Sequence, residues 1–307
     1  MSRSEKDRSS NPSDAVAAHY DASAAHYHDM YDREHLRDCS KDYPANYFRL
    51  QLLLESFVQK GVRRVLEVGV GDATPLIALA DAGLDVWGFD FSKQMVDAAR
   101  GNMQRRGYDP SRIFWGDVQD RTTYAGSLTE GPFDGVLAMG VMPHVVNDDG
   151  AIENIAALVR PEGSIFIEFR NKLFSLFSFN RYTADFILND LLDGVAADVK
   201  QLVADDLQGR LRMDVPAAPP RVPNAAPRDT EIFSKFHTPF EVTDLLERHG
   251  FADVMFRWYH YHPAMPYLSE RAPQRFRDEA IGLERETSGW RGMFLCSAFV
   301  AEATKRA

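Results

Sequence analysis

Two glycines flanked by carboxylates stand at one bend of this chain, and their spacing defines the chemistry the bend can do. Val65-Leu66-Glu67-Val68-Gly69-Val70-Gly71-Asp72-Ala73-Thr74-Pro75 reads as a buried strand, a glycine turn and the start of a helix. Gly69 and Gly71 allow backbone angles and close approaches that a Cβ forbids. Thr74 is placed to cap the helix, Pro75 to begin it, and Gly83 to stop it. A strand, a glycine loop and a helix N-terminus form a cradle for a nucleotide-like ligand, although the same turn also serves as a plain tight connection. Asp90 closes a second strand, Val86–Asp90, 21 positions after Gly69. That is close to the ~20 expected of a carboxylate that binds ribose hydroxyls. Asp117 closes a third, Ile113–Asp117. Glu67 is expected inside the first loop, where a pyrophosphate would not tolerate it. A ligand with positive charge, a sulfonium and an ammonium, suits that acid better.

The elements that must position these residues alternate. Strand candidates at 62–68, 84–90, 112–118, 133–139 and 163–169 are separated by helical patterns, the signature of a parallel sheet covered on both faces. Ser92 caps a helix carrying Met95, Val96, Ala99 and Met103, which Gly107 ends. Ligands bind beyond the C-terminal ends of such strands. That rule selects Gly69, Gly71, Asp90, Asp117, Gly140 and Glu168 as one lined edge. Farther on, Thr238-Pro239-Phe240-Glu241 is a capping box and Gly250 a stop. A strand at Val254–His262 and a helix over about 270–287 then lead to a last strand, Trp290–Val300.

Glu-x-Gly-x-Gly at Glu67–Gly71, Asp90 followed by Phe91-Ser92-Lys93-Gln94-Met95, and Gly116-Asp117-Val118 resemble the motifs of class I S-adenosylmethionine-dependent methyltransferases. So do Phe133–Met139 and Leu158–Ser164. The resemblance covers about residues 60–170 well and the later strands loosely; Ala73 replaces the third glycine of the family loop. It implies an α/β Rossmann-like class I methyltransferase fold. The sheet is then seven-stranded and mostly parallel with an antiparallel last strand, with a helical N-terminal lid and a helical insertion after strand five. It also implies S-adenosylmethionine as cofactor. Glu67, Gly69 and Gly71 would hold its methionine side, Asp90 the ribose and Asp117 the adenine end, with Phe91, Val118 and Met139 completing the set.

The expected organisation is a disordered tail over 1–14 and a lid over 15–60. A cofactor-binding core over 61–171, a substrate-cap insertion over 172–237 and the remainder of the core sheet over 238–307 follow. The 307 residues suit one large α/β domain with an added cap. No apolar run is long enough to span a membrane, and the charged first residues do not read as a signal peptide, so the expectation is a cytoplasmic protein. Two cysteines, Cys39 and Cys296, indicate neither a disulfide framework nor a zinc site. A net charge of −10 argues against nucleic acid as substrate.

Two groups are candidates for proton transfer. His144 follows the fourth strand in Met139-Gly140-Val141-Met142-Pro143-His144, a loop that in the family faces the acceptor. It is either a base for a hydroxyl or amine or a histidine that orders the loop. Glu168 ends the fifth strand on the side of Phe166 and Arg170, and is either a base at the mouth of an apolar pocket or half of an ion pair with Arg170 or another cation. Tyr27, Tyr31 and Tyr47 of the lid, Arg170, Phe177, Arg181 and Tyr182 after strand five, and His260 are candidates to line the acceptor site. Histidines 26, 28 and 35 read as solvated, and alternation places Trp258, His260 and His262 on one face. Asp185–Leu207 reads as helical and 216–223 as a stiff proline-rich loop; the insertion could equally form an oligomer interface, which leaves a homodimer open.

Methyl transfer to a small-molecule oxygen, nitrogen or carbon is the expected activity. A C-methyltransferase of a prenyl diphosphate or similar amphipathic anion, held by Arg181 or Lys172, is the alternative. A non-catalytic cofactor-binding partner protein is the reading from another class, and retention of every cofactor motif argues against it.

Overall fold

A computed structural model describes residues 12–128, 131–211 and 232–307. The expected tail therefore falls largely outside the described residues, as does the proline-rich stretch 216–223. The chain opens with α1 (Pro12–Ser23), two 3-10 turns over Ala24–Tyr31 and Arg33–Arg37, and α2 (Ala45–Lys60). β1 (Arg64–Val68), α3 (Thr74–Asp81), β2 (Asp85–Asp90), α4 (Lys93–Arg105), β3 (Ile113–Trp115), β4 (Phe133–Ala138), α5 (Asp148–Leu158) and β5 (Val159–Arg170) follow. Then come α6 (Ser175–Ser178), α7 (Arg181–Asp185), α8 (Ala197–Arg210), α9 (Pro239–Arg248), β6 (Phe251–Tyr261), α10 (Pro273–Leu283), α11 (Gly292–Leu295) and β7 (Cys296–Lys305).

The seven strands form one sheet in the order β3-β2-β1-β4-β5-β7-β6. β1 to β5 pair in parallel, with Val65 opposite both Val86 and Gly135, and β7 runs antiparallel to β5 and β6. Strand alternation splits the core into two layers. Val65 and Phe166 face α2, α3 and α4 through Leu53, Phe57, Leu76, Leu79, Ala99 and Met103. Leu66, Val68, Ile165 and Ile167 face α5 and α9 through Ile152, Ile155, Val242 and Leu246. Burial of this much apolar side chain, about 1.5–3 kcal/mol for each large one, is what fixes the strand ends as a rigid edge.

Several expectations need correction. Glu67 lies within β1, on the Val65 face, and not in the loop. Asp117 stands two residues beyond the shorter β3, in an isolated bridge with Asp120. The N-cap of α3 is Ala73, with no side-chain cap; its φ of 65° is a left-handed conformation that a glycine would adopt without strain. The last strand begins at Cys296, because Gly292–Leu295 turns as a short helix with Gly292 packed flat on Trp258, leaving Trp290 72% exposed. The helix expected over 185–207 is broken at Gly194, whose φ is 74°. α10 is shorter than the helix expected over 270–287. The capping box at Thr238 forms as expected, with Glu241 bonding back to the Thr238 N–H.

Candidate active site

The loop after β1 is bound to its neighbour before any ligand is considered. Gly69 N and Val70 N donate to the Phe89 carbonyl at 2.8 and 3.1 Å. Asp90 accepts from Gly71 N and Ser92 N, each at 2.8 Å. Burial pushes the Asp90 carboxyl up to about 6; the backbone bonds from Ser92 and Gly71 oppose this, and Asp21 of α1 adds to it. Each oxygen retains a lone pair, so the carboxylate can still accept from hydroxyls.

Beyond these strand ends lies a cavity whose free space, open solvent included, is about 780 Å³. Gly69, Gly71, Asp90, Phe91, Asp117, Val118 and Met139 line it, together with Val16, Ala17, Tyr20 and Tyr27 from the N-terminal arm. No lysine or arginine lines it among the described residues. A Cβ on Gly71 would lie 2.9 Å from Cε1 of Tyr27, and one on Gly69 would collide with Val141. Both glycines are therefore required by close packing as well as by their positive φ values of 71° and 54°.

Glu67 does not line this cavity. It is 1% exposed beneath the loop, its Oε2 has no hydrogen-bond partner, and its carboxyl is pushed up to about 8. Burial is the main cause; Arg49 opposes it, while Asp72 and Asp90 reinforce it. An orphaned acidic oxygen, a cradle that excludes any Cβ and the absence of lining cations fit S-adenosylmethionine, which carries an ammonium, a sulfonium and a ribose but no pyrophosphate.

Two larger cavities continue from the first. A middle chamber shares Tyr20, Tyr27, Gly140 and His144 with it and adds Tyr43, Asn46, Arg49, Glu168 and Arg170. An outer chamber shares Tyr43, Asn46, Glu168 and Arg170 with the middle one and extends along Phe174, Tyr182, Phe186, Phe236, Tyr259 and His260. His144 thus stands at the junction of the first two cavities. Its Nδ1 lies 2.7 Å from the Phe233 carbonyl, which can only accept, so Nδ1 carries the proton. Burial holds the ring below the usual histidine range, with the Phe233 bond opposing and Arg170 reinforcing the effect. The neutral ring therefore offers a lone pair on Nε2, which lies 3.1 Å from Tyr20 Oη.

Of the two readings of Glu168 the structure shows the ion pair, with Arg49 and not Arg170 as the cation, at a carboxylate that lines the middle and outer chambers. It is 8% exposed and ion-paired with Arg49 of α2, which also donates to Tyr31 Oη at 2.7 Å. Of the other acceptor candidates, Tyr27, Arg170, Tyr182 and His260 line the chambers, whereas Tyr31, Tyr47, Phe177 and the exposed Arg181 stay outside these three cavities. His260 reaches the outer chamber beside Tyr259 because its φ of 61° breaks the strand alternation expected to group it with Trp258. Burial lowers its ring to about 4, so it is neutral.

Sequence reasoning missed the strap formed by residues 233–237. Its Phe233 carbonyl holds His144, and Ser234 Oγ accepts from Arg170 Nη1 at 2.5 Å. Lys235 N donates to the Pro143 carbonyl at 2.7 Å, and Lys235 Nζ and His237 Nε2 reach Asp148 at 2.5 and 3.0 Å. Arg49 was also missed, although a signal existed: it falls with Asn46, Leu50 and Leu53 on the buried stripe of α2.

Residues 65–163 match the family model described as "Methyltransferase domain". The ubiquinone biosynthesis O-methyltransferase of Coxiella burnetii (strain RSA 331 / Henzerling II) is 24% identical over 218 residues, 71% of this chain and 75% of that protein. The enzyme of the same name from Bordetella avium (strain 197N) is 31% identical over 152 residues, 48% of this chain and 60% of that one. Among solved structures, magnesium protoporphyrin IX methyltransferase from Synechocystis PCC 6803, with bound S-adenosylhomocysteine, superposes with a TM-score of 0.53 at 16% identity, covering 97% of this chain and 100% of that one. Phosphoethanolamine N-methyltransferase 2 of Haemonchus contortus gives 0.51 at 13% identity, over 98% of this chain and 62% of that one.

Proposed function

We propose that this chain, an S-adenosylmethionine-dependent methyltransferase by its matching domain and its relatives, methylates a hydroxyl oxygen of a small amphipathic acceptor. The donor, when bound, supplies a methyl group on a positively charged sulfur. The chain's own work is to hold, orient and dry the reactants, and to move one proton. Asp90 and the Gly69–Gly71 cradle, with Phe91, Asp117, Val118 and Met139 along the cavity, hold the donor. Glu67 supplies negative charge from beneath.

The observation that carries the oxygen reading is the tautomer of His144. The Phe233 carbonyl commits Nδ1 as a donor, so Nε2 is the basic atom, and it lies where the donor cavity meets the acceptor chamber. There it can take the proton of an acceptor hydroxyl as the oxygen attacks. Tyr20, now bonded to Nε2, is displaced by that hydroxyl. Glu168, the base that carbon methylation would need, is committed to Arg49 instead. The Coxiella and Bordetella relatives are named O-methyltransferases, which favours the same atom. The aromatic walls of the outer chamber suit the apolar body of the acceptor.

The test is His144→Gln, assayed by product mass spectrometry over a panel of phenols and alcohols with apolar tails. Turnover is expected to fall about 10²- to 10³-fold while S-adenosylhomocysteine affinity is unchanged. Turnover near that of the unaltered protein, or methylation at carbon, would refute the reading.

A further inference from the structure

Arg170 ends β5 half-buried, and it faces both acceptor chambers. The other guanidinium and the partly buried lysine of these walls are neutralised. Arg49 pairs with Glu168, and Lys172 pairs with Asp190 at 2.9 Å and Glu241 at 3.4 Å. Arg170 forms no ion pair among the described residues. Among the described residues its side chain donates one hydrogen bond, to Ser234 Oγ, so most of its five-donor fork has no acceptor there. Ser234 belongs to the strap that also holds His144, so the fork is oriented by the same element as the basic nitrogen. The nearest acid along the strand, Glu168, is turned to Arg49, so Arg170 is the partly buried cation of these walls that pairs with no carboxylate among the described residues; Lys41, which also lines the middle chamber, is exposed, and Asp29, Asp42 and Asp185 line the chambers away from any pair with Arg170.

We propose that Arg170 is the seat for an oxyanion on the acceptor, so that the substrate is an amphipathic anion whose carboxylate or phosphate rests on this fork and whose apolar body extends past Phe174, Phe186, Phe236 and Tyr259. A planar guanidinium accepts either group through two parallel N–H bonds, which a lysine cannot reproduce. This moves the anionic end from the positions expected in the sequence. Arg181 is exposed and outside the chambers, and Lys172 is already paired. The proposal rests on the chambers being the acceptor site, as read above, but not on His144 acting as the base.

The experiment is calorimetric titration of the full chain, saturated with S-adenosylhomocysteine, with decanoate, decyl phosphate and decanol. The shared tail fills the apolar wall, and the head group reads Arg170. At least one of the two anions is expected to bind about tenfold or more tightly than decanol. Arg170→Gln should bring that ratio within about threefold while leaving decanol affinity unchanged, and Arg170→Lys should restore part of it. Which anion gains more identifies the carboxylate or the phosphate. Arg181→Gln should change nothing. Equal binding of anions and alcohol, a preference that survives Arg170→Gln, or no binding of any probe would overturn the proposal. His144→Gln separates the two readings. It removes turnover but not the head-group preference if both hold; retained turnover with an intact preference sinks only the base.

Discussion

At Glu67 burial and ligand charge act in opposite directions, and the conflict is measurable. The free protein holds this carboxyl mostly neutral at pH 7, because its ionisation is pushed up to about 8. A cation docking above it favours the ionised form, so donor binding should release a proton. Affinity should then rise with pH, by up to about tenfold per unit, and level off above about pH 8. Calorimetry in buffers of different ionisation enthalpy reads the proton directly, and Glu67→Gln should abolish both the release and the slope. The linkage also has a sign for folding. The unfolded chain ionises Glu67 near its ordinary 4.5 and the folded one near 8, so the unfolded state binds fewer protons between them. Stability is therefore lost as pH rises through that window, and Glu67→Gln should raise Tm at pH 9 while leaving it nearly unchanged at pH 4. A pH-independent affinity would remove the donor's positive end from this carboxylate. Glu168 shows the other use of a buried acid. Paired with Arg49, it spares the domain an isolated charge, whose exposure by removal of one partner typically costs about 3–5 kcal/mol.

Among the elements, the strap at 233–237 ties the fold to the two side chains to which the proposed mechanism and acceptor seat assign work, His144 and Arg170. Burial alone would raise the Asp148 carboxyl, but its bonds to His237 and Lys235 outweigh that and hold it below the usual range. From the first turn of α5 it anchors the strap, and the strap in turn sets the His144 tautomer and the Arg170 fork. Asp148→Ala should release Lys235 and His237 and let His144 exchange its tautomers. The expected outcome is a loss of about 10- to 100-fold in kcat, little change in donor affinity, and an Nε2–H population visible in the ¹⁵N shifts of His144. A ring that stays wholly Nδ1–H in this variant would show that the strap positions nothing. None of this was legible in the sequence, for a physical reason. The strap has no periodicity, its contacts mix backbone and side-chain partners from distant elements, and Asp148 and His237 are 89 residues apart. By contrast, the capping box of α9, the Ser92 cap of α4 and the strand ending in Asp90 follow from local rules and were readable. The start of β7 was not, because an apolar run alone does not say whether it turns as α11 or extends.

For the whole molecule, the alternation of strands and helices was enough to foresee a parallel sheet with a lined edge, and a net charge of −10 is consistent with attraction of a cationic donor. How the arm closes over that edge depends on contacts across the fold. Tyr27 packs on Gly71, Tyr20 meets His144, and Asp21 bonds Ser92. Tyr20 and Tyr27, with Val16 and Ala17, form one wall of the first cavity, so a donor bound there as proposed would require the arm to open for exchange and close to exclude water. Local opening of so lightly anchored a segment should cost much less than global unfolding. Hydrogen exchange should therefore be faster over residues 12–31 than in β1, β2, β4 and β5. A ligand that binds only the closed form slows exchange by a factor of one plus the ratio of free ligand concentration to Kd. At 100 times its Kd the gain is about 2.7 kcal/mol, or about 100-fold in rate. S-adenosylhomocysteine should thus protect the arm to about that extent. If the loop at Gly69–Gly71 becomes protected while the arm exchanges as before, the donor enters without it, and the arm is a fixed wall, not a lid.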